Sequence, residues 1–472
     1  MEPLGRRVIV TLCAGLIALA ATGRASAFTR QDLMLHMDDG VDLGATLYKP
    51  TTGQAPYPAI VMLHGLGTTR QQVDSIAQGF AGSFAVLTFD ARGHGQSGGL
   101  VSVDGPREVA DTRAVYNWLA ARPDIDPRRI GAWGISLGGG AVLRSLVEGV
   151  PWTAVAVLQT WTDLYTALAP QNLSKSGAIY SLLSSVPQSK RDPTLQAIEQ
   201  DALASRNLPA LHAWAAQRSS RAQLSHVTTP IYFFQGRRDF VFDREQALAG
   251  YRLVRGPKEL YIGDFGHSPS AFPGPDVNAV VNEGFNFFLR WVLVPPGIPP
   301  LRYPISVSPD PWRGKARGFK TLPRTRTVKV PFAGRDTFTG RGKAKRTSGR
   351  LKVRLETFGS ARVRVRAKLS GGWSRVVAVL TAKPRRGKTI VVSDGGINTS
   401  AMSGTHTLTI RMIDDATVIP RGSTLTLTLA SNSLAQDPNN LLYLDLPMPA
   451  GAKVSLGAAQ LTLPVLRKPI SR

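Results

Sequence analysis

The sequence predicts an α/β domain built on a parallel sheet, followed by an all-β sandwich. Apolar runs of strand length alternate with helical stretches up to about residue 294, which is typical of βαβ units. A cluster of prolines at 295–300 then interrupts the chain. Beyond residue 326, short segments of alternating apolar and polar residues follow one another with almost no helical pattern, as in antiparallel sandwiches.

The N-terminus has the features of a cleavable secretory signal. Two arginines precede an apolar run at residues 8–21, and residues 25–27 form an A-x-A site that predicts cleavage before Phe28. The run is too short for a comfortable bilayer span. We therefore expect a secreted or cell-envelope protein with no stable membrane anchor once the signal peptide (1–27) is removed, and the paired arginines leave Sec and Tat export both open.

The only cysteine, Cys13, lies in this signal segment. A mature chain without cysteine forms no disulfide, no thiolate metal site and no cysteine nucleophile. We therefore expect its stability to come from core packing.

Positive charge is concentrated in the second half. Residues 301–472 contain 31 Lys and Arg against 8 Asp and Glu, a net of +23 out of +25 for the whole chain. This asymmetry indicates a domain boundary, and it fits either an anionic cell-envelope polymer as a partner or a solubilising surface without one. Nucleic acid is disfavoured, because the basic residues alternate with Val and Leu rather than with aromatic platforms.

Residues 130–146 have the pattern of a strand, a tight turn and a helix. The turn contains Gly134, Ser136 and Gly138. A serine on such a turn needs glycines two positions before and after it, because side chains there would collide with the neighbouring strand and helix. The pattern predicts the nucleophile elbow of an α/β-hydrolase, in which the Leu137 amide, at the helix N-terminus, stabilises a developing oxyanion.

A second oxyanion donor is expected in the loop after the buried strand at 59–63. His64, Gly65, Leu66 and Gly67 follow that strand, and the amide of Leu66 is the predicted donor. The side chain of His64 is expected to pack within the loop rather than to move a proton.

The candidate acid and base follow two later strands. Asp239 comes just after the strand at 230–236, and His267 just after the strand at 260–262. The order Ser136, Asp239, His267 is that of the α/β-hydrolases. These residues predict two-step acyl transfer through an acyl-enzyme, which requires no metal and no cofactor.

Two other carboxylates remain candidates for the acid. Asp243 is the alternative to Asp239, and Asp264 is disfavoured because it lies too near His267 in sequence to orient the ring from its far side.

A helical insertion is predicted between about 161 and 225. This stretch has helical segments broken by prolines and no strand pattern, and at this point of the sheet it would cover the serine as a cap. Trp161, Tyr165, Tyr180 and Trp214 are candidates to line an apolar acyl or aromatic pocket, although aromatic residues of such an insertion also form its own core.

The C-terminal part is predicted as a Pro-rich linker (295–325) followed by a strongly basic β-sandwich (326–472) of the jelly-roll type. Predicted strands cover residues 327–331, 350–356, 361–368, 375–381, 389–393, 405–412, 424–429, 441–446, 453–456 and 460–465.

The elbow, the acid loop at 236–239, Gly266 with His267, the helical insertion and the C-terminal sandwich together resemble the X-Pro dipeptidyl-peptidase and cocaine-esterase (CocE/NonD) family of serine hydrolases. The resemblance implies an α/β-hydrolase domain at 28–294 with a helical cap, and a jelly roll that packs on it and frames the active site. The esterase branch has a tyrosine hydroxyl at the oxyanion loop, whereas this chain has His64 to Gly67 there.

Ester hydrolysis is favoured over X-Pro dipeptide release. The peptidase branch of the family holds the substrate amino terminus with acidic residues, and the acids of the predicted cap form no recognisable motif: Asp163, Asp192, Glu199 and Asp201. An alternative of another class is a vestigial serine site on a binding module for anionic cell-envelope polymers. The complete set of Ser136, Asp239 and His267 argues against it.

Overall fold

The computed structural model describes residues 27–293, 301–436 and 441–471. The predicted signal peptide lies outside these residues except for Ala27, and so does the proline cluster at 295–300. Within the described ranges, no helix combines the length and the hydropathy needed to cross a bilayer.

A ten-stranded sheet forms the centre of the N-terminal part. Its strands are β1 (Phe28–His36), β2 (Asp42–Pro50), β3 (Tyr57–Leu63), β4 (Ala85–Phe89), β5 (Ile125–Ile135), β6 (Val155–Leu158), β7 (Ile231–Gly236), β8 (Lys258–Gly263), β9 (Ile305–Val307) and β10 (Arg317–Phe319). Their spatial order is β1-β2-β4-β3-β5-β6-β7-β8-β9-β10. The strands from β4 to β9 in this order pair in parallel, and β1, β2 and β10 pair antiparallel at the edges.

Helices follow most of these strands. They are α1 (Asp74–Phe80), α2 (Pro106–Ala120), α3 (Leu137–Val147), α4 (Leu164–Leu168), α5 (Ser176–Ser184), α6 (Pro193–Ala204), α7 (Leu208–Ala216), α8 (Arg244–Leu253) and α9 (Val277–Phe288). One apolar core joins α2, α3 and α8 to the sheet, and a second joins α1 and α9 to its other face. Apolar strands covered on both faces are expected of a parallel sheet.

The helical insertion predicted after β6 is present. Helices α4 to α7 and short 3₁₀ turns occupy the chain between β6 and β7. Apolar side chains of α4, α5 and α7 share a cluster with Leu137 of the elbow. The insertion therefore packs against the turn that carries the serine.

Part of the predicted linker belongs to the sheet. β9 and β10 lie within 295–325, and β9 pairs in parallel with β8. Ile305 and Val307 are buried there. The prediction missed them because three-residue strands are too short to produce an alternating pattern.

The C-terminal part is an antiparallel β-sandwich. Its strands are β11 (Thr325–Phe332), β12 (Asp336–Thr339), β13 (Lys343–Arg350), β14 (Leu355–Glu356), β15 (Gly359–Ser370), β16 (Arg375–Lys383), β17 (Ile390–Asn398), β18 (Gly404–Asp415), β19 (Val418–Ile419), β20 (Thr424–Ala430) and β21 (Lys453–Leu466). One sheet has the order β11-β21-β15-β18 with β12 also on β21, and the other has the order β13-β20-β16-β17. The two sheets share one apolar core.

Four predicted strands of the sandwich differ from the structure. Residues 441–446 form no strand, the stretch 350–356 is divided between the end of β13 and β14, and the predicted strands at 453–456 and 460–465 are one strand, β21. Gly457 and Ala458 separate the two apolar runs of β21 in sequence, where they resemble a turn although the strand continues through them.

Candidate active site

Ser136 lies in the tight turn between β5 and α3. Its backbone angles are φ +54° and ψ −113°, which is a strained conformation for a residue with a side chain. A Cβ atom on Gly134 would lie 2.2 Å from the carbonyl oxygen of Gly138, and one on Gly138 would lie 2.4 Å from the carbonyl oxygen of Leu63. The two glycines are therefore required by close backbone contacts.

The three residues predicted as nucleophile, base and acid form a continuous hydrogen-bonded chain. The distance from Ser136 Oγ to His267 Nε2 is 2.9 Å, and that from His267 Nδ1 to Asp239 Oδ2 is 2.7 Å. The side chain of Asp239 is fully buried, whereas that of His267 is 17 % exposed. The imidazole can thus exchange a proton with the serine while its far side is held in a dry environment.

Backbone amides fix the orientation of Asp239. Its Oδ1 accepts hydrogen bonds from the amides of Val241 at 3.0 Å and Phe242 at 2.9 Å, and its Oδ2 also accepts the amide of His267 at 3.0 Å. The alternative acid, Asp243, instead accepts the amide of Asp414 in the sandwich at 3.1 Å. Of the two, only Asp239 is placed to orient the imidazole.

Asp264, the third carboxylate considered, forms no hydrogen bond with the His267 ring in the described part of the chain, where the partner of Nδ1 is Asp239. Its backbone amide donates to Asp276 at 2.9 Å. Burial raises the pKa of Asp264, and the nearby Asp310 and Asp276 add to the shift.

The two predicted oxyanion donors lie in segments that a backbone hydrogen bond joins. The amide of Gly138 donates to the carbonyl oxygen of His64 at 2.9 Å, which ties the elbow to the loop carrying Leu66. In the described part of the chain, neither the amide of Leu66 nor that of Leu137 donates to another protein group. Two free amides beside the serine hydroxyl suit a developing negative charge on a substrate oxygen.

Two buried histidines stabilise the oxyanion loop. His64 Nδ1 lies 2.7 Å from the carbonyl oxygen of Gly65, and His64 Nε2 accepts the amide of Ala91 at 2.9 Å. His94 Nε2 accepts the amide of Gly67 at 3.1 Å. Burial, with His94 nearby, lowers the pKa of His64 to about 4, so the ring is neutral at neutral pH. Both rings therefore hold loop backbone rather than substrate.

The predicted pocket residues separate into three environments. Tyr165 and Trp214 line an apolar cavity of about 90 Å³ between the cap helices. Tyr180 is exposed and lines a second cavity of about 500 Å³ that His267 also lines. Trp161 lines neither of these cavities and lies in the core: its ring packs on Phe242, and its indole N–H donates to a backbone carbonyl at 2.7 Å. Sequence alone does not tell which side of a helical insertion an aromatic ring faces.

Lys175 was not predicted as part of the site. It is 1 % exposed, and its Nζ donates to the carbonyl oxygens of Phe240 at 2.9 Å and Val241 at 2.8 Å, in the loop that follows Asp239. Burial lowers the pKa of Lys175, and Asp243 and other nearby acids oppose that shift. A lysine between two serines looks like a surface residue in the sequence, so no signal identified it.

The sandwich binds the same acid loop. Arg237 donates to Glu356 Oε1 at 2.9 Å, with both side chains 1 % exposed, and Arg238 donates to the carbonyl oxygen of Val391 at 2.8 Å. Arg244 forms an ion pair with Asp414. The loop is thus held between the cap and the sandwich. Pairs more than 100 residues apart leave no local pattern in a sequence.

Among the described residues, no three His, Cys, Asp or Glu side chains converge as metal ligands would. The relay of Ser136, His267 and Asp239 can perform acyl transfer by proton movement alone.

The hydrolase part of the chain matches a known family. The family model described as X-Pro dipeptidyl-peptidase (S15 family) matches residues 39–269. Over this span the chain is similar to that family of serine hydrolases. The matched span contains the elbow, the oxyanion loop, Asp239 and His267, so the resemblance stated from the sequence is confirmed.

Curated relatives match shorter segments. The quorum-quenching protein AidA from Acinetobacter baumannii is 37% identical over 141 residues, which is 28% of this chain and 44% of that protein. The thiohydrolase aneE from Aspergillus aculeatus is 35% identical over 109 residues, 22% of this chain and 33% of that protein. The chain spans about half or less of the length of these relatives.

Solved structures match over nearly the whole chain. A CocE/NonD family hydrolase from Staphylococcus aureus has a TM-score of 0.71 at 12% identity and covers 93% of this chain and 94% of its own. An α-amino acid ester hydrolase has a TM-score of 0.67 at 14% identity, with 97% and 99% coverage. At these identities the similarity establishes the fold: an α/β-hydrolase domain with a C-terminal β-sandwich.

Proposed function

We propose that this protein hydrolyses carboxylic esters through an acyl-enzyme on Ser136. His267 takes the hydroxyl proton as Oγ attacks the acyl carbon, and returns it to the departing alcohol. Water then attacks the acyl-enzyme by the same route, releasing the acid and the free serine. Asp239 accepts the hydrogen bond from Nδ1–H of His267 and stabilises the imidazolium that forms. The amides of Leu66 and Leu137 stabilise the oxyanion. The hydrogen-bonded chain from Ser136 to Asp239 is the observation that supports this proposal.

The lining of the two cavities favours an ester over an X-Pro peptide. A dipeptidyl-peptidase has to hold a charged amino terminus, which needs a carboxylate nearby. Among the residues that the structure describes, neither cavity has an Asp or a Glu in its lining.

The four acids of the cap have other partners. Asp163 and Asp192 cap α4 and α6 by accepting backbone amides at 2.9 Å and 2.8 Å. Glu199 pairs with Arg191 at 2.8 Å, and Asp201 with Arg206 at 3.4 Å. Each is used within the cap, which supports the ester assignment. The family match itself is the observation that favours the peptidase alternative.

The apolar cavity suits a short aliphatic acyl group. Leu66, which carries one oxyanion amide, lines it, and Leu182 lines both this cavity and the one beside His267. A cavity of about 150 Å³ lined by Leu, Ile and Phe admits benzene. The volume here is about 90 Å³, which is too small for a benzoyl ring and large enough for an acyl chain of a few carbons.

Substrate comparison tests the proposal. We expect kcat/KM for p-nitrophenyl butyrate to exceed that for an X-Pro-p-nitroanilide by at least about 100-fold, and to exceed that for p-nitrophenyl benzoate by about 10-fold, since a pocket contact is worth a few kcal/mol. Leu211→Ala, which enlarges the cavity, should move the preference towards longer chains. Hydrolysis of the anilide alone would contradict the ester assignment.

Export is part of the same proposal. The N-terminal arginines, the apolar run and the A-x-A site support it. N-terminal sequencing of protein from the cell-envelope or extracellular fraction should begin at Phe28. Full-length protein confined to the cell interior would contradict export.

A further inference from the structure

Half of the acids in the second half of the chain are removed from its surface. Residues 301–472 contain 8 Asp and Glu, and four of them, Glu356, Asp394, Asp414 and Asp415, are buried. Asp336 pairs with Arg346 at 3.1 Å. The exposed surface of the sandwich is therefore even more strongly positive than its composition suggests.

Strand β15 presents a row of cations on the outer face of the five-stranded sheet. Its residues alternate along 361–369: the apolar ones point into the sandwich core, while Arg362, Arg364, Arg366 and Lys368 are exposed. Neighbours two positions apart on a strand are about 6.6–6.8 Å apart. The row thus extends over roughly 20 Å.

Hydroxyl and amide side chains flank this row. The register places Thr409, Thr407 and Thr405 of β18 opposite Arg364, Arg366 and Lys368. On the other side, β21 places Thr462, Gln460 and Ser455 opposite Arg362, Arg364 and Lys368. Lys329 of β11 continues the pattern beyond Thr462. We call this surface, formed by the outward side chains of β11, β15, β18 and β21, the basic face.

The basic face has no exposed acid. The exposed outward positions of its strands contain no Asp or Glu, and Asp414 at the end of β18 is buried and paired with Arg244. Within the described residues, Arg362, Arg364, Arg366 and Lys368 form no ion pair, whereas Arg411 at the end of the face lies 3.8 Å from Glu245. Four unpaired like charges in one row repel one another, and a polyanion would relieve that repulsion.

We propose that the basic face binds a linear anionic glycopolymer, with its acidic groups on the β15 cations and its hydroxyls on the flanking Thr, Ser and Gln. A row of cations along one strand fits an extended chain, and the polar flanks fit sugar or polyol hydroxyls. The outward positions hold no aromatic residue, so single-stranded nucleic acid would find no stacking platform. They also hold no large apolar side chain to enter a membrane.

Binding measurements on the full chain test this site. The probes are polygalacturonate, which carries carboxylates, and poly(glycerol phosphate), which carries phosphodiesters, with neutral dextran as the control. We expect the wild type to bind at least one of the charged polymers and not dextran, with an affinity that falls as salt is raised.

Two matched double variants distinguish binding at the basic face from a general effect of net charge. Arg364→Glu with Arg366→Glu reverses two charges on the face, and Arg385→Glu with Arg386→Glu reverses two exposed charges in the loop after β16. We expect the first pair to weaken polymer binding by at least about tenfold and the second by less than about threefold. Both pairs change the net charge by the same amount, but only the first removes charges that contact the polymer.

Three results would overturn the proposal. They are an equal loss of binding in both variant pairs, the absence of binding to either charged polymer, and tighter binding of duplex DNA or of anionic vesicles than of both polymers. Ester hydrolysis by the two variant pairs should equal that of the wild type, which confirms that they are folded.

Discussion

The ten-stranded sheet and the β-sandwich place their polar side chains in opposite ways. The parallel strands β3 to β8 are covered on both faces, so polar groups collect at their carboxyl ends, where Ser136, Asp239 and His267 follow β5, β7 and β8. The sandwich strand β15 has one wet face, so its cations are spread along its length. The parallel sheet therefore gathers its reactive side chains at one edge, whereas the antiparallel sandwich spreads its charged side chains over a surface.

The two regions meet at residues 237–244, which run from the acid loop to the first residue of α8. This segment carries the candidate catalytic acid of the first region and also binds the sandwich through Arg237, Arg238 and Arg244. The comparison therefore predicts that catalysis depends on individual atoms at the sheet edge, while the sandwich contributes stability and position.

The largest expected effect separates the two acids of this loop. Asp239→Asn should lower kcat by about 10⁴-fold, because an amide at this position favours the wrong imidazole tautomer. Asp243→Asn should lower kcat far less, because Asp243 faces the amide of Asp414. Steady-state kinetics on both variants makes the comparison. Equal losses would mean that the relay is not the one described.

The next largest effect is a loss of stability at the contact between the two regions. Glu356 accepts hydrogen bonds from Arg237, Ile470 and Ser471. Burial alone would raise the pKa of Glu356, but Arg237 and Ser471 hold it below its usual value. Glu356→Gln leaves Arg237 without a counter-charge and should reduce the free energy of unfolding by about 3–5 kcal/mol.

Urea unfolding measures this loss. A matched control is Asp201→Asn, which breaks the more exposed pair with Arg206 and should change stability by less than about 1 kcal/mol. Losses of the same size in both variants would show that the junction has no special role in holding the two regions together.

A smaller effect is expected at Lys175, which we treat as a positioning residue. Lys175→Met removes both hydrogen bonds to the acid loop and should lower kcat by about 10–100-fold, as expected when a catalytic group loses its support. KM should change little, because Lys175 lines neither of the cavities assigned to substrate.

Lys190→Met provides the control, since Lys190 is an exposed lysine of the same cap. Thermal unfolding of each variant separates misfolding from misplacement of the acid loop. A Lys175→Met enzyme that is folded and has the kcat of the wild type would contradict the positioning role.

The smallest effect is a pH dependence of stability. Burial raises the pKa of Asp415 to about 7, whereas a carboxyl in an unfolded chain titrates near 4. Between these values the folded protein binds more protons than the unfolded chain, so its stability falls as pH rises through that window, by about 1 kcal/mol per pH unit from this group.

Urea unfolding at several pH values tests whether the free energy of unfolding falls as pH rises. Asp415→Asn should reduce the decline in stability between pH 5 and pH 7 by the contribution of one carboxyl, a slope of about 1 kcal/mol per pH unit. A variant that declines as steeply as the wild type would contradict the raised pKa.

The sequence was most informative where a local rule forces a residue type. Gly134 and Gly138 are required by contacts of 2.2 and 2.4 Å, so the elbow could be identified from five letters and their flanking elements. Asp239 and His267 were found because each follows a buried strand at the same sheet edge. In each case the signal and its cause lie within a few residues.

The residues that were missed depend on distant parts of the chain. Lys175 is functional in this account only because the loop after Asp239 folds over it. Trp161 lies in the core because the cap turns its ring towards Phe242. β9 is a strand because β8 is there to pair with it. None of these relationships has a local pattern.

The most direct test of the central claim is labelling with a fluorophosphonate, which reacts with a serine hydroxyl only when a base activates it. We predict stoichiometric labelling of the folded wild type at Ser136, and no labelling of Ser136→Ala or of His267→Ala. A folded wild type that resists the reagent, or a Ser136→Ala variant that is still labelled, would contradict the relay of Ser136, His267 and Asp239.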